Sequence, residues 1–306
     1  MGSRNGRGQG TGYGEQVAAR RALPVTCNLE PEIAALPFTK VQGLGNHFVL
    51  VWEPAAGLRD WGPVAIEVCP HHFASGADGL LVVSSSEVAD VRMRYFDPDG
   101  TEDMCGNGLR CVARWSHVCG RAPAQMTVET LAGARRCEVL ESGEVRAEMG
   151  EPILVTSRLP AVAPVDQLFD YPVAVHGRTY PITGISFGTT HAVIIGQGRG
   201  GPHWAEDSAA LEVHALFPDR TTIDWVEVVS REHVLMRPWE RRLGETLACG
   251  TGACASAVAT ALHGLTERRV RVEMRGGSLL VEWRDDNQVV ATGRADIVYT
   301  GTYHRV

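Results

Sequence analysis

The sequence predicts an α+β protein of two pseudo-symmetric β-rich domains, each a sheet or barrel wrapped around one central helix. Three observations carry that expectation. Short β-forming runs recur along the chain, among them GLLVVS at 79–84, VRMRYF at 91–96, THAVII at 190–195 and RVRVEM at 269–274. Their length and their alternating or continuous apolarity suit strands. Only two segments read strongly as helices, 108–119 and 252–263, and each follows a Cys-Gly-x-Gly turn. Those turns belong to an internal repeat. Cys105 and Cys249 lie 144 residues apart, as do Gly100 and Gly244, and residues 46–51 align with 190–195 at the same shift.

In chain order, residues 1–35 are rich in Gly and Arg at their start and read as a flexible tail. Order is expected near Leu36, where PFTKVQGLGNHFVLVW reads as a strand, a Gly-rich turn and a second strand. GLLVVS and VRMRYF follow, then the first helix, QMTVETL and EVRAEMG. The second copy is expected to begin near 149–152. It supplies THAVIIG, DWVEVV, HVLMRPW, the second helix, RVRVEM and SLLVEW, and ADIVYTG follows them. Within the two copies, MRYFD at 93–97 faces MRPWE at 236–240.

Composition excludes several functions. The 306 residues carry a net charge of −7, so no basic surface is available to follow a phosphate backbone, and nucleic acid is not an expected partner. No apolar run approaches the ~20 residues needed to span a bilayer, so no membrane is expected either. Lys40 is the single lysine. A pyridoxal-phosphate enzyme needs a Schiff-base lysine, and Lys40 sits in a strand pattern without a phosphate loop. No cofactor is expected. The eight cysteines contain no C-x-x-C pair, and His71-His72 beside Cys69 reads as surface, so no metal is expected. With no apolar signal-like segment at the start, a cytoplasmic location with reduced thiols is the default.

The duplicated cysteines suggest chemistry. Each stands at the start of a helix, where unpaired N–H groups and partial positive charge should lower a thiol pKa and cradle an anion such as a carboxylate. Two related halves would bring these groups to one cleft from opposite sides. Proton removal next to a carboxylate, with return on the other face, needs one base and one acid. A thiolate and a thiol supply that pair. The expected ligand is therefore a small carboxylate or amino acid.

These residues resemble the diaminopimelate epimerase family from about Phe38 onward. The resemblance rests on FTKVQGLGNHFV, GADGLL, MCGNGLRCVAR, VETLAG, VRAEMGEP and WERRLGETLACGTGACASAVA. It implies that Cys105 and Cys249 are the two acid–base thiols, with Glu240 and His191 beside them. It implies that Asn46 contacts substrate, that Gly106, Asn107 and Gly108 form one anion cradle, and that Gly250 and Thr251 form the other. Arg241 is implied to grip the distal carboxylate of the substrate. It further implies that the last strand, from Ala295, returns to the first half, giving domains 36–149 plus 295–306 and 150–294. A homodimer is compatible with it.

The departures from the family pattern cluster at the distal end of the site. Asp97 stands where the family has Asn. Thr189 and Thr222 replace two further asparagines, and PHHFA at 70–74 replaces an acidic-arginine motif. A site that hydrogen-bonds a group discriminates strongly for it. The sequence therefore favours a paralogue that runs the same two-thiol proton transfer on another amino acid or specialised acid, by racemisation or double-bond isomerisation. The alternative is diaminopimelate epimerase itself, and the outside alternative is a non-catalytic binding protein.

Overall fold

The computed structural model describes residues 35–56, 60–196 and 198–304; the expected tail, up to residue 34, lies outside them. The chain is a network of antiparallel hairpins and parallel crossovers, and the pairing order occurs twice. In the first copy Ala35–Gly43 pairs with Asn46–Trp52, which runs parallel to Gly79–Ser84. Gly79–Ser84 pairs with Val91–Phe96, which runs parallel to Gln125–Thr130, and the hairpins through Gly133–Val139 and Glu144–Gly150 complete the set. In the second copy the same relations link Arg178–Ser186, Thr190–Ile195, Thr222–Ser230, His233–Glu240, Arg269–Met274, Gly277–Trp283 and Val289–Arg294.

Each parallel pair needs a crossover, and helices supply it. Gly62–Val68 and Trp204–Glu212 bridge the outer parallel pairs. The two central helices, Gly106–Val118 and Gly250–Leu262, bridge the inner ones. Glu144–Gly150 pairs with Val289–Arg294 and joins the copies. The last strand, Asp296–His304, pairs with Ala35–Gly43. Tyr171–Val175 holds the matching place on Arg178–Ser186.

The core gathers around the central helices. Leu109, Val112, Ala253, Val258 and the inward residues of the strands share one buried cluster. The second helix is built from small residues, GTGACASAVATAL, and is buried along all but its last two positions. Small side chains let strands approach it on every side, and burying them is favourable by ~25 cal/mol per Å² of apolar surface. Cys111 and Cys254 are fully buried, as packing thiols should be, and Lys40 lies in a strand. His71 and His72 are exposed. Among the described residues no helix is long and apolar enough to cross a membrane.

Candidate active site

The two central helices begin in the same way. Cys105 and Cys249 are extended, with φ, ψ of −135°, 112° and −121°, 116°. Each sulfur caps its own helix, accepting from the Gly108 amide at 3.3 Å and the Gly252 amide at 3.4 Å. N-caps are normally oxygen side chains, so the sequence places these starts two residues late. The glycines read as turns are the first helical turn.

The helices meet at their N-termini. A Cβ on Gly250 would lie 3.0 Å from Asn107 Oδ1 and 3.4 Å from the Gly106 carbonyl carbon, so only glycine permits this approach. Asn107 secures the junction: its Nδ2 donates to the Ala248 carbonyl and to Asn46 Oδ1, both at 3.2 Å. The first helix thus holds both the residue before Cys249 and the asparagine beside Cys105.

A narrow cavity of about 70 Å³ opens at this junction. It is lined by Cys105, Cys249, Glu240, Asn46, Asp97, Gly106, Asn107, Thr189, Thr222, Arg241, Gly250 and Thr251. Two residues of the expected site do not reach it. Gly108 lies behind Cys105 as its amide donor. His191 is fully buried, with Nδ1 2.8 Å from Asp224 Oδ2 and Nε2 3.1 Å from Thr189 Oγ1. The cavity also takes Tyr95, Asp103, Met104, Arg242 and Leu243, which the sequence reading does not assign.

The electrostatics correct one expectation. Burial pushes the Cys105 and Cys249 thiols well above the ordinary range, although the Gly108 and Gly252 amides pull them down. Desolvation of the charged form outweighs the helix N-terminus here, and Glu240 adds to it for both sulfurs. Cys249 is also a core residue, 5% exposed, although it stands at the start of a helix. Glu240 responds in the same sense: burial pushes its carboxyl up to about 7, against hydrogen bonds from Thr246 and Cys249. A buried thiol and a carboxyl titrating near neutrality thus share a hydrogen bond. Positive charge arriving on a substrate would favour ionisation of both.

At the far end, Arg241 pairs with Asp103 at 2.7 Å and takes its backbone position from the Thr222 hydroxyl at 3.2 Å. Tyr95 donates to Asp97 at 2.7 Å. Burial raises the Asp97 carboxyl, while that hydrogen bond lowers it.

Comparisons with known proteins point to one family. A family model described as diaminopimelate epimerase matches residues 38–155 and 183–298. A diaminopimelate epimerase of Pelotomaculum thermopropionicum is 42% identical over 274 residues, covering 87% of this chain and 98% of the relative. One from Desulforudis audaxviator is 43% identical over 277 residues, covering 88% of this chain and all of the relative. Among solved structures, a hydroxyproline epimerase from Agrobacterium vitis superposes with a TM-score of 0.67 at 11% identity, covering 89% of this chain and 93% of that one. A phenazine biosynthesis protein of Bacillus anthracis gives 0.61 at 19%, covering 88% and 98%; these two show the fold alone. The chain is an isomerase of the racemase and epimerase class, and with both halves matched it belongs to the diaminopimelate epimerase family.

Proposed function

We propose that this protein is a diaminopimelate epimerase, interconverting the LL and meso forms by a two-thiol proton transfer. The carrying observation is that both sulfur-capped helices open onto one cavity that also holds Glu240 and Arg241. The substrate α-carboxylate would sit where the helix N-termini meet, accepting amide hydrogen bonds from both first turns. Those donors stabilise the negative charge that grows there as the α-proton leaves. One sulfur removes the proton and the other delivers one to the opposite face, with Glu240 taking the Cys249 proton. Relatives at 42–43% identity over nearly their whole length favour diaminopimelate over the paralogue reading taken from the distal departures.

Asp97, Thr189 and Thr222 still favour a second reading, the same transfer on another amino acid. Purified protein incubated in deuterated water with LL-diaminopimelate, meso-diaminopimelate and a panel of amino acids separates the two. Deuterium at the α-carbon of diaminopimelate, with formation of the other stereoisomer, is the expected result. Exchange confined to another amino acid supports the second reading.

A further inference from the structure

Arg110, one turn into the first central helix, is fully buried and takes no part in the chemistry described above. Its guanidinium donates from Nη2 to Asn107 Oδ1 at 2.5 Å and from Nη1 to the Gly106 carbonyl at 3.3 Å. Its buried Nε has no partner among the described residues. Both acceptors are neutral, and the chargeable groups that act on it most are thiols, those of Cys111, Cys254, Cys105 and Cys137. Burial lowers its pKa from the ordinary 12.5, yet a guanidinium stays protonated in a protein. A charge held among neutral groups in a core is costly. The repeat does not require it, because 144 positions on stands Cys254, equally buried, on a helix without a charged side chain.

A guanidinium only donates, so Asn107 Oδ1 must be the acceptor and the amide nitrogen must point the other way. Both hydrogens of that nitrogen are used, on the Ala248 carbonyl and on Asn46 Oδ1. Asn46 is thereby set as well. Its Oδ1 accepts from Asn107, and its Nδ2 donates to Asp78 Oδ2 at 2.9 Å, where a carboxylate can only accept. The file is pinned by a pure donor at one end and a pure acceptor at the other. It leaves Asn46 Oδ1 turned toward Cys105 Sγ, 4.0 Å away. A flipped Asn107 would set its oxygen against two others and its NH₂ against the guanidinium.

We propose that Arg110 is the positioning residue of the helix junction: its guanidinium locks Asn107 and Asn46 in one amide orientation, and its unbalanced positive charge favours the anions that arrive there, a thiolate at Cys105 and a substrate carboxylate. The inference rests on the two-thiol reading above and adds to it a residue behind the cavity wall. Arg110 stands one turn behind the amides of the first helical turn, so it acts through charge and orientation without touching substrate. Its charge matters because the other groups facing Cys105 oppose a thiolate. Glu240, Asp97 and Cys111 all push the thiol up, and Cys105 and Tyr95 oppose each other's ionisation. At the far end of the cavity Arg241 is already paired with Asp103. In the low dielectric of a core, a buried cation acts with little screening by solvent or salt. A neutral side chain of the same bulk would fill the space and supply neither effect.

The test compares Arg110→Lys and Arg110→Met with the parent enzyme. Readouts are diaminopimelate kinetics, the rate of Cys105 alkylation by iodoacetamide across pH, read by mass spectrometry, and the ¹⁵N side-chain amide signals of Asn107 and Asn46. Lysine keeps the charge and loses the fork. It should keep the parent's alkylation profile, shift both amide signals and lower kcat. Methionine loses charge and fork together. Its Cys105 should alkylate on the order of tenfold more slowly at a fixed pH below the thiol midpoint, since a nearby opposite charge moves a pKa by about one unit or more. Its kcat should fall on the order of ten- to a hundredfold, less than a direct oxyanion donor is worth. An arginine that only fills space would change stability and leave the alkylation profile and the amide signals of the folded protein in place. Parent-like alkylation in Arg110→Met overturns the proposal, and so do parent amide signals with parent kcat in Arg110→Lys. The second criterion stands even where the methionine variant does not fold. If the parent epimerises neither diaminopimelate stereoisomer, the substrate reading fails by itself. The alkylation profile and the amide signals need no substrate and then decide the role of Arg110.

Discussion

The turns that lead into the two central helices share a backbone and differ in charge. In the first, the strand Val91–Phe96 ends at Asp97 and the chain reaches Cys105 through Asp103. In the second, His233–Glu240 ends at Glu240, and Arg241 follows before Cys249. Asp97 and Glu240 are repeat counterparts, yet Asp97 is tied to Tyr95, while Glu240 is tied to Thr246 and to Cys249. Cys105 is half-buried with Asn46 Oδ1 4.0 Å away; Cys249 is buried with Glu240 and Thr251 against it. The repeat gives two equal sulfur caps, and the side chains around them differ: Glu240 and Thr251 lie against Cys249, and Asn46 lies beside Cys105. Pseudo-symmetry of the backbone is thus no guide to symmetry of the side chains that surround it.

The largest expected effect tests what the two turns have in common. Cys105→Ala and Cys249→Ala should each lower epimerisation by on the order of 10²–10⁴-fold, the span of acid–base catalysis, measured as deuterium uptake from each stereoisomer. Their stabilities should separate. Cys105→Ala should be close to neutral, and Cys249→Ala should cost about 1 kcal/mol, because its sulfur is packed in the core. Full activity in either variant removes the two-thiol mechanism.

Glu240→Gln and Asp97→Asn break the comparison at its charged positions. Glu240→Gln should lower kcat on the order of a hundredfold, while Asp97→Asn should act mainly on KM. The pH dependence has a definite sign. The folded Glu240 carboxyl titrates near 7, above its ordinary value of 4.5, so folding favours its protonated form. That penalty on ionisation is absent below about pH 4.5 and complete above about pH 7. Wild-type protein should therefore lose stability relative to Glu240→Gln as pH rises across that window. The expected change is about 1–2 kcal/mol, since the side chain keeps some exposure toward the cavity. Denaturant titrations at pH 5 and pH 8 would measure it, and parallel curves would show that Glu240 is not held protonated.

Much of this asymmetry lies beyond a sequence reading. The 144-residue shift identifies the sulfur-capped helices and most strands, because periodic apolar runs and glycine turns are local signals. Gly133–Val139 is harder to see, since GARRCEV carries two arginines and buries only Cys137 and Val139. Gly62–Val68 is a short helix opening on Gly-Pro, and Trp204–Glu212 follows a Gly-rich stretch, so their neighbours read as turns. In the site, Cys105, Cys249 and Glu240 are marked by their motifs. Asp103 is not, because its partner Arg241 stands 138 positions away. Asp224 carries no motif of its own; its contact with His191 depends on two adjacent parallel strands. The thiol pKa expectation fails for the same reason. A helix N-terminus is local, whereas desolvation depends on everything packed around it.

A milder contrast follows from the glycines at matched positions in the two first turns. A Cβ at Gly108 meets Leu81 Cδ2 at 2.8 Å, the far end of a flexible side chain. A Cβ at Gly252 meets the wedged Asp224 Oδ1. Replacing a helical glycine by alanine contributes roughly 0.5–1 kcal/mol of backbone stabilisation, so Gly108→Ala should be nearly neutral. Gly252→Ala should be destabilising by about 1–3 kcal/mol, the usual cost of overpacking. Equal midpoints in denaturant would mean that Asp224 yields as easily as Leu81.

The smallest expected effect concerns the Arg241–Asp103 ion pair, which crosses between the turns. Arg241 Nη2 meets Asp103 Oδ2 at 2.7 Å, with both side chains about one-fifth exposed. In the proposed reaction the distal carboxylate of the substrate needs that guanidinium, so it must compete with Asp103. Asp103→Asn keeps the shape and removes the competing charge. A partly exposed pair is worth about 0.2–1 kcal/mol, which corresponds to no more than about a fivefold gain in affinity for a dicarboxylic substrate. The gain should appear in KM and leave kcat unchanged, because Asp103 touches neither sulfur. It should shrink as salt is added, since salt screens partly exposed charges within a Debye length of roughly 10 Å at 0.1 M. A monocarboxylic amino acid, lacking a distal carboxylate, should gain nothing. If Asp103→Asn instead raises KM for diaminopimelate, Asp103 holds Arg241 in its working orientation. The pair would then be a scaffold that both turns build together.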